Sequence, residues 1–425
     1  MIRERKPNNA RSRSPRGDRN RGRGSSAVLR PAVSRETLLA RQRAKEERLL
    51  REQESRELAR GPIDLPFCLL VLLLTAIGLI MLFSASFPRA YYYYANPTFY
   101  VSKQGVFAIM GVAAMAFVGK INYQRFRGLA KPLLFLAIIL LVLVIIPGNP
   151  IALTRNNATR WLGVPNTALQ FQPSEVAKLA VVLYFSDTVS KKKERMQTFR
   201  YGILPYGIIL VVLAGLMMLE PHLSGTLLIL GAGAAIMLVG GISWKWVMGA
   251  LGVAGAGMYA VVGIVGYGAS RIAMWHNPFI DPRGDGYQLA QSLLSIGSGG
   301  LLGVGLGKSR QKFMYLPEEH NDFVFSIVCE ELGLIGAAVI MLLFAALILR
   351  GYWIALHARD RFGSLLAVGI TTLLAFQTFL NMAVVTGLLP TTGVSLPFFS
   401  YGGTALTIQL FEMGIVLSVS RQMKL

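Results

Sequence analysis

Ten stretches of this chain are apolar for about the length that crosses a bilayer as helix, and that feature excludes most folds. About 20 apolar residues span the hydrocarbon core. Windows of that scale fall at 64–84, 104–119, 130–147, 173–188, 203–220, 224–241, 245–268, 323–349, 364–388 and 403–420. The second, fourth and sixth are short or glycine-rich. Backbone groups in lipid must be satisfied inside a helix or a closed barrel, and these runs are too long for barrel strands. Hydrophobic residues make up 53% of the 425, too many for a soluble domain of this length. The expected fold is an all-α polytopic membrane protein with about ten transmembrane helices.

Lys and Arg in short loops set the orientation. Lys120, Arg125, Arg127 and Lys131 follow the second window; Lys191, Lys192, Lys193, Arg195 and Arg200 follow the fourth. Arg350, Arg359 and Arg361 follow the eighth, and Arg421 and Lys424 follow the last. With ten spans these fall on one face, so both termini are expected in the cytoplasm. The long segment 269–322, between helices seven and eight, is then extracytoplasmic. The first window begins after about 60 residues, which marks an anchor rather than a cleaved signal peptide.

Residues 1–62 form a separate basic tail before a membrane domain at 63–421. Its first 60 residues hold 18 Lys/Arg against 8 Asp/Glu, or +10 of the formal +21. RSRSPRGDRNRGRGSS reads as disordered, and residues 38–60 suit a charged helix. A cytoplasmic tail near anionic lipid headgroups is favoured over a nucleic-acid-binding one. Cys68 and Cys329 lie far apart inside windows, a spacing that suits neither a disulfide framework nor a metal site.

Charge near a bilayer centre costs about 2.5–3.5 kcal/mol on insertion scales, so polar residues there point to function. Three constellations stand at the external ends of windows. In QPSEVAK, Pro173, Ser174 and Glu175 suit the start of a helix, and Glu175 and Lys178 share one face. That pair either neutralises itself or serves a site. Arg160-Trp161 just before it suits an interfacial anchor. In LEPHLSGT, Glu220 and His222 sit in a short turn, either as a polar turn facing water or as part of a site. In YLPEEHNDFVFSIVCEELG, Asn321 or Asp322 is placed to cap the helix that follows. Asp322, Ser326, Cys329 and Gly333 form a small polar stripe suited to lining a cavity, with Glu330 at its flank. A helix N-terminus favours the ionised carboxylate, so Asp322 is expected as a charged acceptor with a low pKa. The glycines of GSGGLLGVGLG suit close backbone approach and a re-entrant segment.

At these residues the chain resembles the SEDS family of bacterial cell-wall proteins, which includes RodA and FtsW. The matching pieces, in order, are Arg160-Trp161, QPSE with Lys178, GYQLAQS at 286–292, GSGG at 297–300, LPEEHNDFVF at 316–325 and TGLLPTTGVSLPFFSYGGTAL at 386–406. The resemblance covers about residues 62–420 and leaves out the basic tail. It implies a peptidoglycan glycosyltransferase that polymerises lipid II on the external face of the plasma membrane. It also implies a class B penicillin-binding protein as partner, with division or elongation machinery. The family's catalytic aspartate lies in its LPExHxDF element, which places it at Asp322. Trp161, Tyr287, Gln288, Glu318, His320 and Ser400 lie in the matching motifs and are expected at the substrate. Two positions depart from the pattern: Asn321 stands where Thr is common, and His222 stands where an acid is expected. The basic tail and the EPHLSGT variant point toward an FtsW-like member.

The residues suit that chemistry. When a hydroxyl displaces a lipid pyrophosphate from an anomeric carbon, the leaving group is good and one carboxylate base suffices. Glycoside hydrolysis instead uses two carboxylates. Asp322 is the expected base. Arg160, Lys178 and Arg271 are the cations available to a pyrophosphate, with Lys178 oriented by Glu175. Glu318 and Glu319 are expected to shape the pocket, and Glu330 and Glu331 to support it from within. A divalent cation, Mg or Mn, held by Glu318, Glu319 or Asp322 is the one cofactor considered; no ligand spacing marks it. Glycine-rich windows six and seven suit either a groove for the polyprenyl chain or ordinary small-residue packing. The competing class is a lipid II flippase, in which Glu175, Lys178, Glu330 and Glu331 line a path. Transport predicts charge toward both faces, and here it gathers on the external half, although Gln409 and Glu412 run against that. A third class, a scaffold recruiting cytoplasmic division proteins through its tail, leaves Asp322 unexplained.

Overall fold

The computed structural model describes residues 61–155, 158–164, 170–249, 269–281 and 286–423, with isolated positions 42, 46, 252, 255 and 284. The chain divides into two units, Met1–Gln53 and Glu54–Leu425. Almost all of the first unit lies outside the described residues, as do most of the expected 38–60 helix and most of the seventh window, 245–268.

The other nine windows coincide with helices. These are α1 (Leu65–Tyr94), α2 (Phe99–Val118), α3 (Ala130–Ile145), α4 (Pro173–Lys192), α5 (Leu204–Leu219), α6 (Leu223–Val239), α9 (Val324–Leu356), α10 (Arg361–Val385) and α11 (Gly403–Ser420). Among the described residues, seven helical segments are long and apolar enough to cross a membrane. Helix α6 is a shorter apolar helix. Helix α4 carries Glu175, Lys178, Asp187, Lys191 and Lys192 and falls short on composition. It can carry them because it packs between α3, α6 and α10, with most of its residues buried in protein.

The segment 269–322 holds two further helices, α7 (Ala269–His276) and α8 (Tyr287–Gly299). The all-α reading misses a small sheet. Strands β1 (Ala152–Arg155), β2 (Ala158–Gly163) and β3 (Gln170–Phe171) pair antiparallel in that order, with Leu153 opposite Trp161 and Leu162 opposite Phe171.

Helix α1 begins at Asp64, whose side chain accepts from the Phe67 amide at 2.9 Å, and Pro66 fits its first turn. At 1.5 Å per residue its 30 residues run about 45 Å, beyond the ~30 Å hydrocarbon core. Exposed Tyr91, Tyr92, Tyr93 and Tyr94 close it. At the end where the chain leaves the tail, Asp64 also pairs with Arg350 at 2.8 Å.

Helix α9 is broken at Gly333, whose φ of 66° and ψ of −169° are not helical. The freed backbone groups are met by the glycine-rich loop after α8. Val304 and Gly305 amides donate to the Glu330 and Glu331 carbonyls, and Leu334 and Ile335 amides donate to the Gly300 and Leu301 carbonyls. A Cβ on Gly299, Gly303 or Gly333 would lie within 2.3 Å of backbone across this seam, so only glycine fits. The segment expected to be re-entrant falls in this loop, and Leu301, Leu302 and Leu306 are exposed along it.

Candidate functional site

Asp322 stands in the turn just before α9, partly buried. It does not cap that helix: the N-cap is Phe323, without a side-chain hydrogen bond, and Asn321 donates to Glu318 Oε2 at 2.5 Å. The loop is tied down from elsewhere. Asn381 Nδ2 on α10 donates to the Asp322 carbonyl at 2.7 Å. Ser400 Oγ donates to the Asn321 carbonyl at 2.6 Å, and the Tyr401 amide donates to the His320 carbonyl at 2.9 Å. His320 is buried, with its ring centroid 4.8 Å from that of Tyr100.

The electrostatics correct the expectation of a low pKa. Burial first, and the Glu318 charge second, push the Asp322 carboxyl up to about 6, against the opposing pull of Arg160 and His320.

Arg160 acts on it across the fold, and a second cation belongs to the neighbouring helix α4. Lys178 is buried, 2.8 Å from Glu175 Oε2, and its Nζ donates to Gln377 Oε1 at 3.4 Å. Gln377 in turn donates to the Ser395 carbonyl and hydroxyl, both at 3.1 Å. The Glu175–Lys178 pair therefore couples α4 to α10 and the loop after it. Arg160, on β2, donates through Nε to the Glu220 carbonyl at 3.2 Å and through Nη2 to the Pro221 carbonyl. It fastens the α5–α6 turn while its charge reaches Asp322 and His222.

That turn does not face water. Glu220 and His222 are 2% and 8% exposed. Burial, then Arg160 and Lys178, hold His222 down at about 3, so its imidazole is neutral beside Gln172 Nε2, 3.4 Å away. Burial pushes Glu220 up to about 8, and its carboxylate oxygens have no hydrogen-bond partner among the described residues. A cavity of about 440 Å³ lies against this turn, lined also by Asn149, Thr154 and Thr159. Asp322 is not on its wall.

Several expected features sit elsewhere. Ser326 and Cys329 do not line a cavity: α8 covers them, with Ser292 Oγ 2.8 Å from Ser326 Oγ and Gly299 against the Cys329 carbonyl. Glu330 and Glu331 hold the re-entrant loop rather than the Asp322 pocket. Glu330 accepts from Ser295 Oγ, Ser309 Oγ and the Arg310 amide; Glu331 accepts from Ser84 Oγ and Lys312 Nζ. Tyr287 and Gln288 are partly buried in the first turn of α8, and among the described residues neither bonds to the Asp322 cluster. Trp161 is partly exposed on β2. The Arg271 side chain lies outside the described residues, although its helix is tied to the Gly387 carbonyl by Trp275 at 2.8 Å.

Glu319 is bound to Arg89, Glu318 to Asn321, and no group of three His, Cys, Asp or Glu among the described residues could hold a metal.

Sequence reasoning missed Gln377, Asn381 and Gly393. The first two are polar residues four apart, one helical turn, inside an apolar window, a legible signal. Gly393, at φ 72°, brings backbone to the carboxylate: a Cβ there would lie 3.3 Å from Asp322 Oδ2. Its role needed the folded loop to be seen.

The fold and this site define a polytopic membrane protein with polar and charged side chains, Asp322, Glu220, Arg160 and the buried Glu175–Lys178 pair among them, at the ends of its helices. Residues 65–425 match the cell cycle protein family FtsW/RodA/SpoVE, and the chain belongs to it. It is 42% identical over 362 residues to the probable peptidoglycan glycosyltransferase FtsW of Geobacter metallireducens, covering 85% of this chain and 95% of that one. It is 42% identical over 361 residues to stage V sporulation protein E of Bacillus subtilis, covering 84% and 97%. Its fold matches a chain in a solved peptidoglycan synthase complex that coordinates polymerization and crosslinking, with a TM-score of 0.71, 27% identity and coverage of 85% and 98%. It also matches the rod shape determining protein RodA of Thermus thermophilus, with a TM-score of 0.62, 27% identity and coverage of 85% and 97%.

Proposed function

We propose that this protein is a peptidoglycan glycosyltransferase that polymerises lipid II, with Asp322 as general base. The observation that carries the reading is the Asp322 carboxylate, on a loop tied down by Asn381 and Ser400, raised to about 6 by burial and within the field of Arg160. A base titrating near 6 is ionised at neutral pH yet basic enough to accept a proton in a transition state.

In the reaction, Asp322 takes the proton of the acceptor sugar's hydroxyl as that oxygen bonds to the donor's anomeric carbon. The bond from that carbon to the lipid pyrophosphate breaks, and its electron pair leaves with the pyrophosphate. Arg160 and Lys178 meet the developing charge, and Glu175 keeps Lys178 aimed. Ser400 and Asn381 hold the backbone that carries Asp322. Arg271, Trp161, Tyr287 and Gln288 are proposed to contact the substrate and are assigned no proton or bond step. No step passes through a metal.

The loop charges favour an orientation with both termini in the cytoplasm and Asp322 on the external side, the side proposed for lipid II use. The partner proposed is a class B penicillin-binding protein, in keeping with the synthase complex among its structural relatives. The relatives named FtsW favour a role in division.

The test is polymerisation of purified lipid II by the reconstituted protein with its partner, comparing wild type with Asp322→Asn, both shown to be folded. Glycan chains from wild type and a loss of about a hundredfold or more in the variant are expected. Equal chains from both remove Asp322 as the base. No chains, with labelled lipid II crossing liposome bilayers instead, replace this reading with a flippase.

A further inference from the structure

The loop that presents Asp322 is under conformational load. Met314 and Glu318 both sit at positive φ, 65° and 55°, where side chains other than glycine are disfavoured. Such a loop keeps its shape only if its surroundings over-determine it. Its ties to Ser400, Tyr401 and Asn381 are single, neutral hydrogen bonds to backbone carbonyls. One tie is different in kind. Arg89 Nε and Nη2 donate to the two oxygens of Glu319 at 2.7 and 2.9 Å, a bidentate charged pair. Glu319 is 0% exposed, so water cannot replace the guanidinium.

We propose that Arg89 is a positioning residue for the reaction: through the buried Glu319 it locks the loop 313–323 and fixes where Asp322 stands. The inference rests on Asp322 being the base. Arg89 is the 25th residue of α1, about 36 Å along it, a length greater than the ~30 Å hydrocarbon core. From there it reaches a loop 230 residues away in sequence. Removing Arg89 leaves the buried Glu319 carboxylate with only the His320 ring, 3.7 Å away, to balance it among the described residues, and the strained loop yields first.

Two measurements test this in the full-length protein, reconstituted with its partner. In lipid II polymerisation, Arg89→Ala is expected to lower kcat about 10- to 100-fold, with KM within about twofold, because an ångström of misplacement costs on that scale. Arg89→Lys recovers part of the loss, since an ammonium supplies the charge without the fork. Arg89→Ala with Glu319→Ala is faster than Arg89→Ala alone, because no unpaired charge remains. Amide exchange over 314–323 reads the loop without reference to activity, and is expected to quicken in Arg89→Ala and recover in the double variant. If Arg89→Ala does not accumulate, Glu319→Gln, nearly isosteric, carries the same expectation. Wild-type exchange in the single variants overturns the lock, whether or not the protein polymerises lipid II. Wild-type exchange accompanied by wild-type kcat overturns it on both counts. A wild type that forms no glycan refutes the enzymatic reading instead, and the exchange result still decides the lock.

Discussion

The ionisation of Asp322 gives a two-signed prediction. Its carboxyl stands at about 6, raised by burial and by Glu318 and lowered by Arg160 and His320. A base must be deprotonated, so the rate of the chemical step is expected to rise with pH through about 6 and level above it. Below that point each unit of pH removes about nine-tenths of the remaining active form, so at pH 5 the rate is near a tenth of the plateau. Glu318→Gln removes a neighbouring negative charge and moves the acid limb to lower pH. Arg160→Gln removes a positive one and moves the limb to higher pH, while also lowering the plateau because Arg160 serves the pyrophosphate. The assay is single-turnover polymerisation of lipid II across pH 4.5–8.5, so that product release does not mask chemistry. Limbs that stay in place in both variants, or move the same way, would refute Asp322 as the titrating base.

Three other outcomes follow from the packing. Lys312→Met strips the cation from Glu331, a pair 2.9 Å apart with both side chains almost wholly buried. Breaking such a pair costs about 3–5 kcal/mol, read as a lowered Tm in detergent, and Lys312→Met with Glu331→Leu is expected to regain most of it. Gly393→Ala puts a Cβ at φ 72° and 3.3 Å from Asp322 Oδ2; kcat is expected to fall at least about tenfold, and normal turnover would show that the loop can give way. Chelation of divalent cations is expected to leave the chemical step within about twofold, since the acidic side chains around Asp322 are committed to Arg89 and Asn321; abolished turnover, restored by Mg or Mn, would refute that.

How much of this was legible in the sequence differs by kind. Nine helices announce themselves, because lipid demands long apolar runs whatever they pack against. The Glu175–Lys178 pair was legible from helical spacing alone. Asp322 was legible as a residue but not as an environment: the cap expected from Asn321-Asp322 is lost to a turn, and its ionisation depends on Glu318 and Arg160 across the fold. Glu330 and Glu331 were legible as anomalies in an apolar run, yet their partners Ser84, Ser309 and Lys312 lie up to 247 residues away. Arg89 and Glu319 had no spacing to betray them. The small sheet escaped because strands of two to six residues leave no periodicity to find.

The break in α9 at Gly333 bears on how this membrane protein can be made and how it can change. A helix interrupted within the apolar layer exposes amides and carbonyls that lipid cannot satisfy, so α9 cannot settle in the bilayer by itself. Its first ten residues and the hairpin that precedes them must enter together, as one unit from about Gly299 to Ile335. The same stitching makes this the stretch least tolerant of length variation. One residue inserted between Gly300 and Gly305 would shift every backbone pairing and set side chains where Gly303 now meets Gly333. Such an insertion is expected to abolish accumulation in membranes, whereas an equal insertion in the 357–360 turn at the far end of α9 is expected to be tolerated.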